Sequence, residues 1–159
     1  MNYRKAQKEI FDMLSRGERV CYYPVGEEKI CVTPDGYKAY IIPLDIVTFN
    51  CAKLQEMKAI EIDGAVKPEN ELKMTDDLKR AHAGYRDILC ARLKAPGKNV
   101  FVNVKYLECF QSPKFYQEKD ERNKRIVVTE RNPKGGGETP VAIVLPIRSD
   151  CWEDDYKEA

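Results

Sequence analysis

Short apolar runs separated by turn sequences fill residues 19–49, and they constrain the fold of this chain more than any other feature. The runs are VCYY, KICVT, YKAYIIP and DIVTF, and the first three are separated by Pro-Val-Gly-Glu and Pro-Asp-Gly. Runs of about four to eight apolar or alternating residues between such clusters are typical of β-strands. Pro-Asp-Gly favours a tight turn, because proline fixes φ at a turn position. The pattern predicts an antiparallel meander.

An amphipathic helix is predicted before the meander. Apolar residues recur there at steps of three and four, which is the spacing of one helical face. They are Tyr3, Ala6, Ile10, Met13 and Leu14. Asn2 is expected to cap the start of this helix, and Gly17 is expected to end it in a left-handed conformation.

The second half of the chain alternates strands with one further helix. Strand character returns at residues 87–93 and resumes at 99–102, after the turn Ala-Pro-Gly-Lys. Asn103 is placed to cap a second short helix. The inward-facing residues of that helix are Val104, Leu107 and Phe110. Residues 125–131 and 140–148 are predicted to form a hairpin across the connection Asn-Pro-Lys-Gly-Gly-Gly.

Between these segments lies the most polar part of the chain, at about residues 52–86. We interpret it as a polar insertion that holds a short strand at 59–62 and a helical turn near 76–83. The whole chain has 159 residues, which is within the range of one domain. The predicted organisation is a single domain of residues 1–148 followed by an acidic tail of residues 149–159.

Composition limits the classes of function. Lysine and arginine total 27 against 26 for aspartate and glutamate, so the net charge is +1 and a strong autonomous DNA binder is not indicated. No apolar run reaches the roughly 18 residues of a membrane span, so no membrane partner is expected. The N-terminal residues are charged throughout and lack the apolar core of a secretion signal, which predicts a cytoplasmic protein.

The residue types that carry catalysis or bind metals are sparse or badly spaced. The six cysteines lie at long intervals without a CxxC pair, so we expect reduced core thiols and no metal or cofactor. His82 is the only histidine and lies in the polar stretch, where a surface position is the better expectation. The acidic pairs lack the turn glycine of a calcium loop, and Gly135–Gly136–Gly137 lacks the Lys-Ser/Thr of a phosphate loop. A noncatalytic protein without catalytic residues is predicted.

Two motifs of the last third give a family resemblance. The segment VFVNVKYLECF runs from a strand into a capped helix, and the chain approaches its end in VAIVLPIR. This order resembles the third domain of the bacterial DNA polymerase III β sliding clamp. The matching residues are Phe101, Asn103, Tyr106, Leu107, Leu145, Pro146, Ile147 and Arg148. The resemblance implies an α+β, DNA-clamp-like domain with antiparallel sheets and two helices packed on one side.

The resemblance also implies binding residues. The clamp family receives short peptides at its terminal segment, so Leu145, Pro146 and Ile147 would form an apolar wall and Arg148 a polar edge. The alternative is that these residues simply finish the last strand and pack on the core. Family helices face DNA, which implies weak, nonspecific contacts with double-stranded DNA. The residues for these contacts would be Arg4, Lys5, Lys8, Arg16 and Lys105.

The function implied is that of a noncatalytic clamp-fold protein acting in DNA replication or a related DNA transaction. It would work through contacts with replication or repair proteins, as a homo-oligomer that assembles into a ring around DNA. A clamp subunit carries three such domains, and two subunits close the ring, so this chain would have to assemble as six copies or would form no ring at all. The alternative is a standalone interaction or regulatory module that keeps the fold without the clamp function.

Overall fold

The computed structural model of this chain describes residues 1–62, 64–83, 86–119 and 125–147. Within these ranges one α-helix lies against a ten-stranded sheet. The elements are α1 (Tyr3–Ser15), β1 (Cys21–Val25), β2 (Lys29–Asp35), β3 (Lys38–Pro43), β4 (Gln55–Glu56), β5 (Glu71–Ala83), β6 (Arg86–Ala95), β7 (Lys98–Asn103), β8 (Lys114–Tyr116), β9 (Ile126–Arg131) and β10 (Glu138–Val144).

The strands lie in the order β4-β1-β2-β3-β10-β9-β8-β5-β6-β7. Neighbouring strands are antiparallel except β1 and β4, which are parallel, so the sheet is mixed. The predicted α+β, clamp-like arrangement with two helices packed on one side of antiparallel sheets is therefore wrong. One sheet with one α-helix replaces it.

The second predicted helix is only a short 3-10 turn, Val104–Leu107. The side chain of Asn103 does cap it, accepting a hydrogen bond from the backbone N–H of Lys105 at 3.0 Å. Its apolar side chains also pack against the core, as predicted. One turn fixes many backbone angles for few hydrogen bonds, so a helix this short does not extend without further apolar periodicity. Pro113 soon follows, and β8 begins after it.

The first helix has the predicted ends. Oδ1 of Asn2 accepts the backbone N–H of Lys5 at 3.1 Å. Gly17 has φ +73°, and the N–H of Glu18 reaches the carbonyl of Met13 at 3.0 Å, which closes the helix in a left-handed cap. The buried residues include Ala6 and Ile10, on the predicted apolar face.

The first three strands form the predicted meander, but DIVTF is not a strand. A 3-10 turn, Leu44–Ile46, includes its first two residues, and the rest is irregular chain. The side chain of Gln7 explains the difference, because its amide donates to the carbonyl of Ile46 at 2.9 Å and accepts the N–H of Thr48 at 2.6 Å. Helix α1 thus takes the backbone hydrogen bonds that a neighbouring strand would need.

The polar stretch contributes the longest strand of the sheet. β5 occupies the residues for which a helical turn is predicted, and its pairing with β6 satisfies its backbone. No strand is assigned at residues 59–62, where one is predicted. Instead, Ile60 and Ile62 pack with Met57 on one face of the sheet, beside Cys31 and Ile41. The predicted strands at 87–93 and 99–102 and the terminal hairpin are confirmed as β6, β7, β9 and β10.

The main core lies between α1 and the other face of the sheet. The largest fully buried side chains there come from α1, β2, β3, β6, β7, β8, β9 and β10, and they include Ile10, Tyr40, Leu93 and Phe115. Among the cysteines that the structure describes, Cys31, Cys90 and Cys109 are buried. This agrees with the prediction that several cysteines are core residues.

Candidate functional site

The terminal residues predicted to bind peptides make backbone contacts within the chain. Leu145 donates its N–H to the carbonyl of Tyr37 at 2.8 Å, and Ile147 donates to the carbonyl of Phe101 at 2.8 Å. Pro146 lies between them, and all three side chains are half-buried. The segment after β10 therefore runs from the start of β3 to the edge of β7.

The side chain of Ile147 packs against a small buried cluster. The members of that cluster are Ala81, Cys90 and Phe101. Arg148, the fourth predicted peptide-binding residue, lies outside the described residues, as does the acidic tail. Peptide binding at this segment stays a prediction, and the side chain of Ile147 already packs against residues of the sheet.

Three of the five residues predicted to contact DNA form ion pairs with nearby carboxylates. The pairs are Lys5 with Glu108 at 2.7 Å, Lys8 with Asp12 at 3.0 Å and Arg16 with Glu18 at 2.5 Å. Arg4 and Lys105 are exposed. Each ion pair places a negative charge beside a positive one, so the surface of α1 is of mixed charge rather than basic. DNA binding by these five residues stays a prediction.

A polar cluster lies between α1, β3 and the 3-10 turn Val104–Leu107, with Lys38 at its centre. Nζ of Lys38 lies 2.5 Å from Oε1 of Glu9. The same atom is 5.7 Å from the ring centroid of Tyr40 and 5.0 Å from that of Tyr106. A buried ammonium is costly unless opposite charge and aromatic faces compensate it, and this cluster supplies both.

Tyr40 extends this cluster to a buried thiol. Its hydroxyl donates to Oε2 of Glu9 at 2.8 Å and lies 3.6 Å from Sγ of Cys109. Burial raises the pKa of Tyr40, so the hydroxyl keeps its proton and serves as the donor. No buried side-chain donor or acceptor lacks a partner among the described residues. The cluster therefore serves to hold α1 against the sheet.

His82 lies on the surface, as predicted. Its Nδ1 is 2.6 Å from Oδ1 of Asp87, and both side chains are more than half exposed. No group of three histidine, cysteine or acidic side chains could hold a metal ion within the ranges that the structure describes. A shallow groove of about 360 Å³ near the end of α1 is lined by Leu14, Gly17, Glu18, Arg19, Val20, Lys53 and Gln55. These lining residues include no cysteine, serine or histidine nucleophile.

The long hairpin of β5 and β6 is a candidate binding surface. We call it the arm and define it as residues 73–83 and 86–94. Three large aliphatic side chains are exposed on it: Met74 at 55%, Leu78 at 58% and Leu89 at 44%. Met74 is opposite Leu93 and Leu78 is opposite Ala91 in the ladder, and both of those β6 residues are buried. The exposed residues therefore continue the core-facing side of the hairpin beyond the core.

Among the described residues, the edge of β5 is also open over most of its length. β5 pairs with β8 only through Glu71 and Leu72. From Lys73 onward, its ladder partner in the described part of the chain is β6 alone. A long edge of unpaired N–H and C=O groups is a template for pairing with another strand. The arm thus combines an open strand edge with exposed aliphatic side chains.

The prediction from sequence overlooked this surface. Met74 and Leu78 are aliphatic residues in an otherwise charged stretch, and that contrast was the available indication. Their exposure follows only from the pairing of β5 with β6, which the local sequence does not specify.

No family model, curated protein or solved structure matches this chain. None of the helical residues that the structure describes forms a segment long and apolar enough to cross a membrane.

Proposed function

We propose that this chain is a noncatalytic, cytoplasmic interaction module that binds another protein chain through the arm. The observation that carries this proposal is the exposure of Met74, Leu78 and Leu89 beside the open edge of β5. This function is the standalone alternative of the sequence prediction, now without the clamp fold.

The arm has the two parts that strand-adding interfaces use. An added strand gains main-chain hydrogen bonds from an open edge, and side-chain contacts beside that edge give selectivity. Burying exposed aliphatic surface contributes about 25 cal/mol per Å². The three arm side chains would therefore supply apolar contact area next to the main-chain contacts.

Site-specific photocrosslinking tests this proposal. A photoreactive phenylalanine analogue at Leu89 should give discrete cross-linked products in the producing cell. The same analogue at Leu44, which is 45% exposed and outside the arm, is the matched control. The glutamate variant Leu78→Glu should remove the Leu89 products. Equal product patterns at the two positions, or products that survive Leu78→Glu, would reject the arm as the binding surface.

A second candidate function is nucleic-acid binding by the arm, because its charge differs from that of the whole chain. Residues 73–94 contain six lysines and arginines against three aspartates, an excess of three, while the whole chain has a net charge of +1. Lysine and arginine clusters on one element contact phosphates without sequence preference. The role in DNA transactions expected from the sequence thus stays a proposal, moved to a different surface.

Fluorescence anisotropy with duplex and single-stranded DNA at two salt concentrations tests this second candidate. Arg80→Glu with Arg86→Glu should weaken binding and reduce its salt dependence. Arg4→Glu with Lys105→Glu is the control, because those exposed residues belong to the set predicted from the sequence. If only the control variant weakens binding, the α1 surface is favoured instead. Absence of binding by the unmodified protein removes the nucleic-acid candidate altogether.

A further inference from the structure

We infer that two copies of this chain dimerise by antiparallel pairing of β5 with β5, centred on Leu78. This inference deepens the proposed function and rests on it, because it names the partner of the arm as a second copy. It starts from the open edge of β5, whose ladder partner after Leu72 is β6 alone among the described residues. That open edge runs from Lys73 to the end of the strand and is long enough for a strand pair. The register of β5 with β6 shifts between Met74 and Leu78, so the two-fold pair would join the bulged residues of each copy to the regular residues of the other.

The charge sequence of this edge is self-complementary. The five central residues are Asp76, Asp77, Leu78, Lys79 and Arg80. In an antiparallel pair centred on the leucine, Asp76 of each copy is opposite Arg80 of the other. The remaining acid, Asp77, is opposite Lys79, and the two leucines face each other. A two-fold axis through Leu78 therefore places four opposite-charge pairs on the joined edge. Lys79 already interacts within its own chain, so the argument depends on the two Asp76–Arg80 pairs.

The exposure of these side chains fits the pairing. Asp76, Leu78 and Arg80 are all exposed in the single chain. Asp77 also has a partner within the chain, because Nη1 of Arg92 lies 3.1 Å from its Oδ2. The Asp76–Arg80 pairs, made twice, are thus the main electrostatic contribution to the dimer. Opposite charges directly across a strand pair stabilise it.

Competing registers are less favourable. Centring the pair on Asp77 would place two aspartates opposite each other, and centring it on Lys79 would do the same for two lysines. Parallel pairing in register would place every charge beside its own kind. Like charges directly opposite each other are destabilising. The sequence therefore favours one register over its neighbours.

Antiparallel pairing centred on Leu78 also places the same face of each arm on the same side of the joined sheet. Residues directly opposite each other in a sheet point to the same face. Met74, Leu78 and Leu89 of one copy would then lie on the same side as those of the second copy, doubling the aliphatic surface. A two-fold contact of this kind is closed, so the open edge is used up rather than extended into a fibre.

Sedimentation equilibrium over a concentration series tests the inference. The unmodified chain should approach twice its mass of 18.3 kDa. Arg80→Asp alone should weaken dimerisation by about tenfold or more, because two favourable pairs become two repulsive ones. Asp76→Arg alone should do the same. Both positions are exposed, so circular dichroism should show unchanged secondary structure.

The mixture of the two variants is the decisive sample. Asp76→Arg carries cations at both positions 76 and 80, and Arg80→Asp carries anions at both, so the two variants should form a heterodimer although each variant alone is monomeric. The double variant with both exchanges in one chain should dimerise again. A monomeric unmodified chain, or single variants that dimerise as well as the unmodified chain, would overturn the inference.

The crosslinking experiment separates failure of this inference from failure of the proposed function. Leu89 products that contain only a second copy of this chain support the dimer. If the chain is monomeric while Leu89 cross-links a different protein, the dimer is rejected and the interaction module stands. If the chain is monomeric and Leu89 gives no product beyond the Leu44 control, both are rejected.

Discussion

Nζ of Lys38 lies 2.5 Å from Oε1 of Glu9, and this contact joins the first residue of β3 to α1. The lysine side chain is buried, while that of Glu9 is 34% exposed. The two charges therefore differ in how strongly each depends on the other. The ammonium depends on the carboxylate, because water has little access to it, whereas the carboxylate keeps part of its hydration.

Glu9→Gln is expected to destabilise the protein by about 2 kcal/mol, because it leaves a buried ammonium without its counter-charge. The figure is below that for a fully buried pair, since Glu9 is partly exposed. The glutamine amide oxygen can still accept from the hydroxyl of Tyr40, so the loss is mainly electrostatic. Urea unfolding monitored by circular dichroism measures the change.

Two further variants show whether the charge is the cause. Lys38→Met with Glu9→Gln should cost less than the sum of the single changes, because the unpaired ammonium is then absent. Asp12→Asn, which breaks an exposed pair with Lys8 on the same helix, should change stability by less than about 1 kcal/mol. Equal losses for Glu9→Gln and Asp12→Asn would show that the burial of Lys38 is irrelevant.

Tyr106 is expected to make the stability depend on alkaline pH. Burial first, and the negative charge of Asp35 second, raise the pKa of Tyr106 to about 12 from the ordinary value of 10.0. The unfolded chain therefore loses this proton at lower pH than the folded chain. Stability is fully present below pH 10 and falls as the pH rises towards 12.

Urea unfolding at several pH values between 9 and 12 should show this fall, with a shallower slope for Tyr106→Phe. Phenylalanine keeps the ring over Lys38 but has no proton to lose. If the two slopes coincide, Tyr106 does not contribute to the alkaline loss.

Gly17→Ala is expected to cost about 1 kcal/mol, because a side chain is strained at its φ of +73°. Space is not the cause, since an added Cβ would meet nothing within 4 Å. Gly36→Ala is the matched control, because that glycine has the same open surroundings without a left-handed φ. Thermal unfolding of the two variants should separate backbone strain from the loss of a glycine as such.

The parts of the fold that follow from local sequence were predictable. Asn2 and Gly17 mark the ends of α1 through their own backbone preferences, and the meander follows from runs bounded by turns. The terminal hairpin has the same origin. These predictions needed no knowledge of distant residues, because each depends on neighbours along the chain.

The arm was not predictable in this way. Met74, Leu78 and Ala81 are spaced by four and three residues, which is helical spacing and favours the predicted turn of helix. In the structure these residues belong to a strand instead. The register of β5 with β6 shifts between Met74 and Leu78, and β5 bulges there. A bulge depends on the partner strand, so local periodicity gives the wrong period. The candidate binding surface was missed for the same reason.

Arg92 holds this bulge in place, which gives a last prediction. Its Nε and Nη2 donate to Oδ1 of Asn99 at 3.0 and 2.8 Å, and its Nη1 contacts Asp77 on the bulge. The hydroxyl of Thr75 also donates to the carbonyl of Arg92 at 3.3 Å. One guanidinium therefore connects β5 to β7 across β6.

Arg92→Lys should loosen the bulge, because a single ammonium cannot reproduce the planar fork that reaches both partners. Hydrogen exchange should accelerate at residues 75–78 and stay unchanged in α1. Lys94→Arg, at an exposed position of the same strand, is the control and should leave exchange unaltered. Because the bulge adjoins the Leu78 centre of the inferred dimer, Arg92→Lys should also weaken dimerisation, although Arg92 does not lie on the β5 edge. Faster exchange without any change in dimerisation would show that the bulge and the edge are independent.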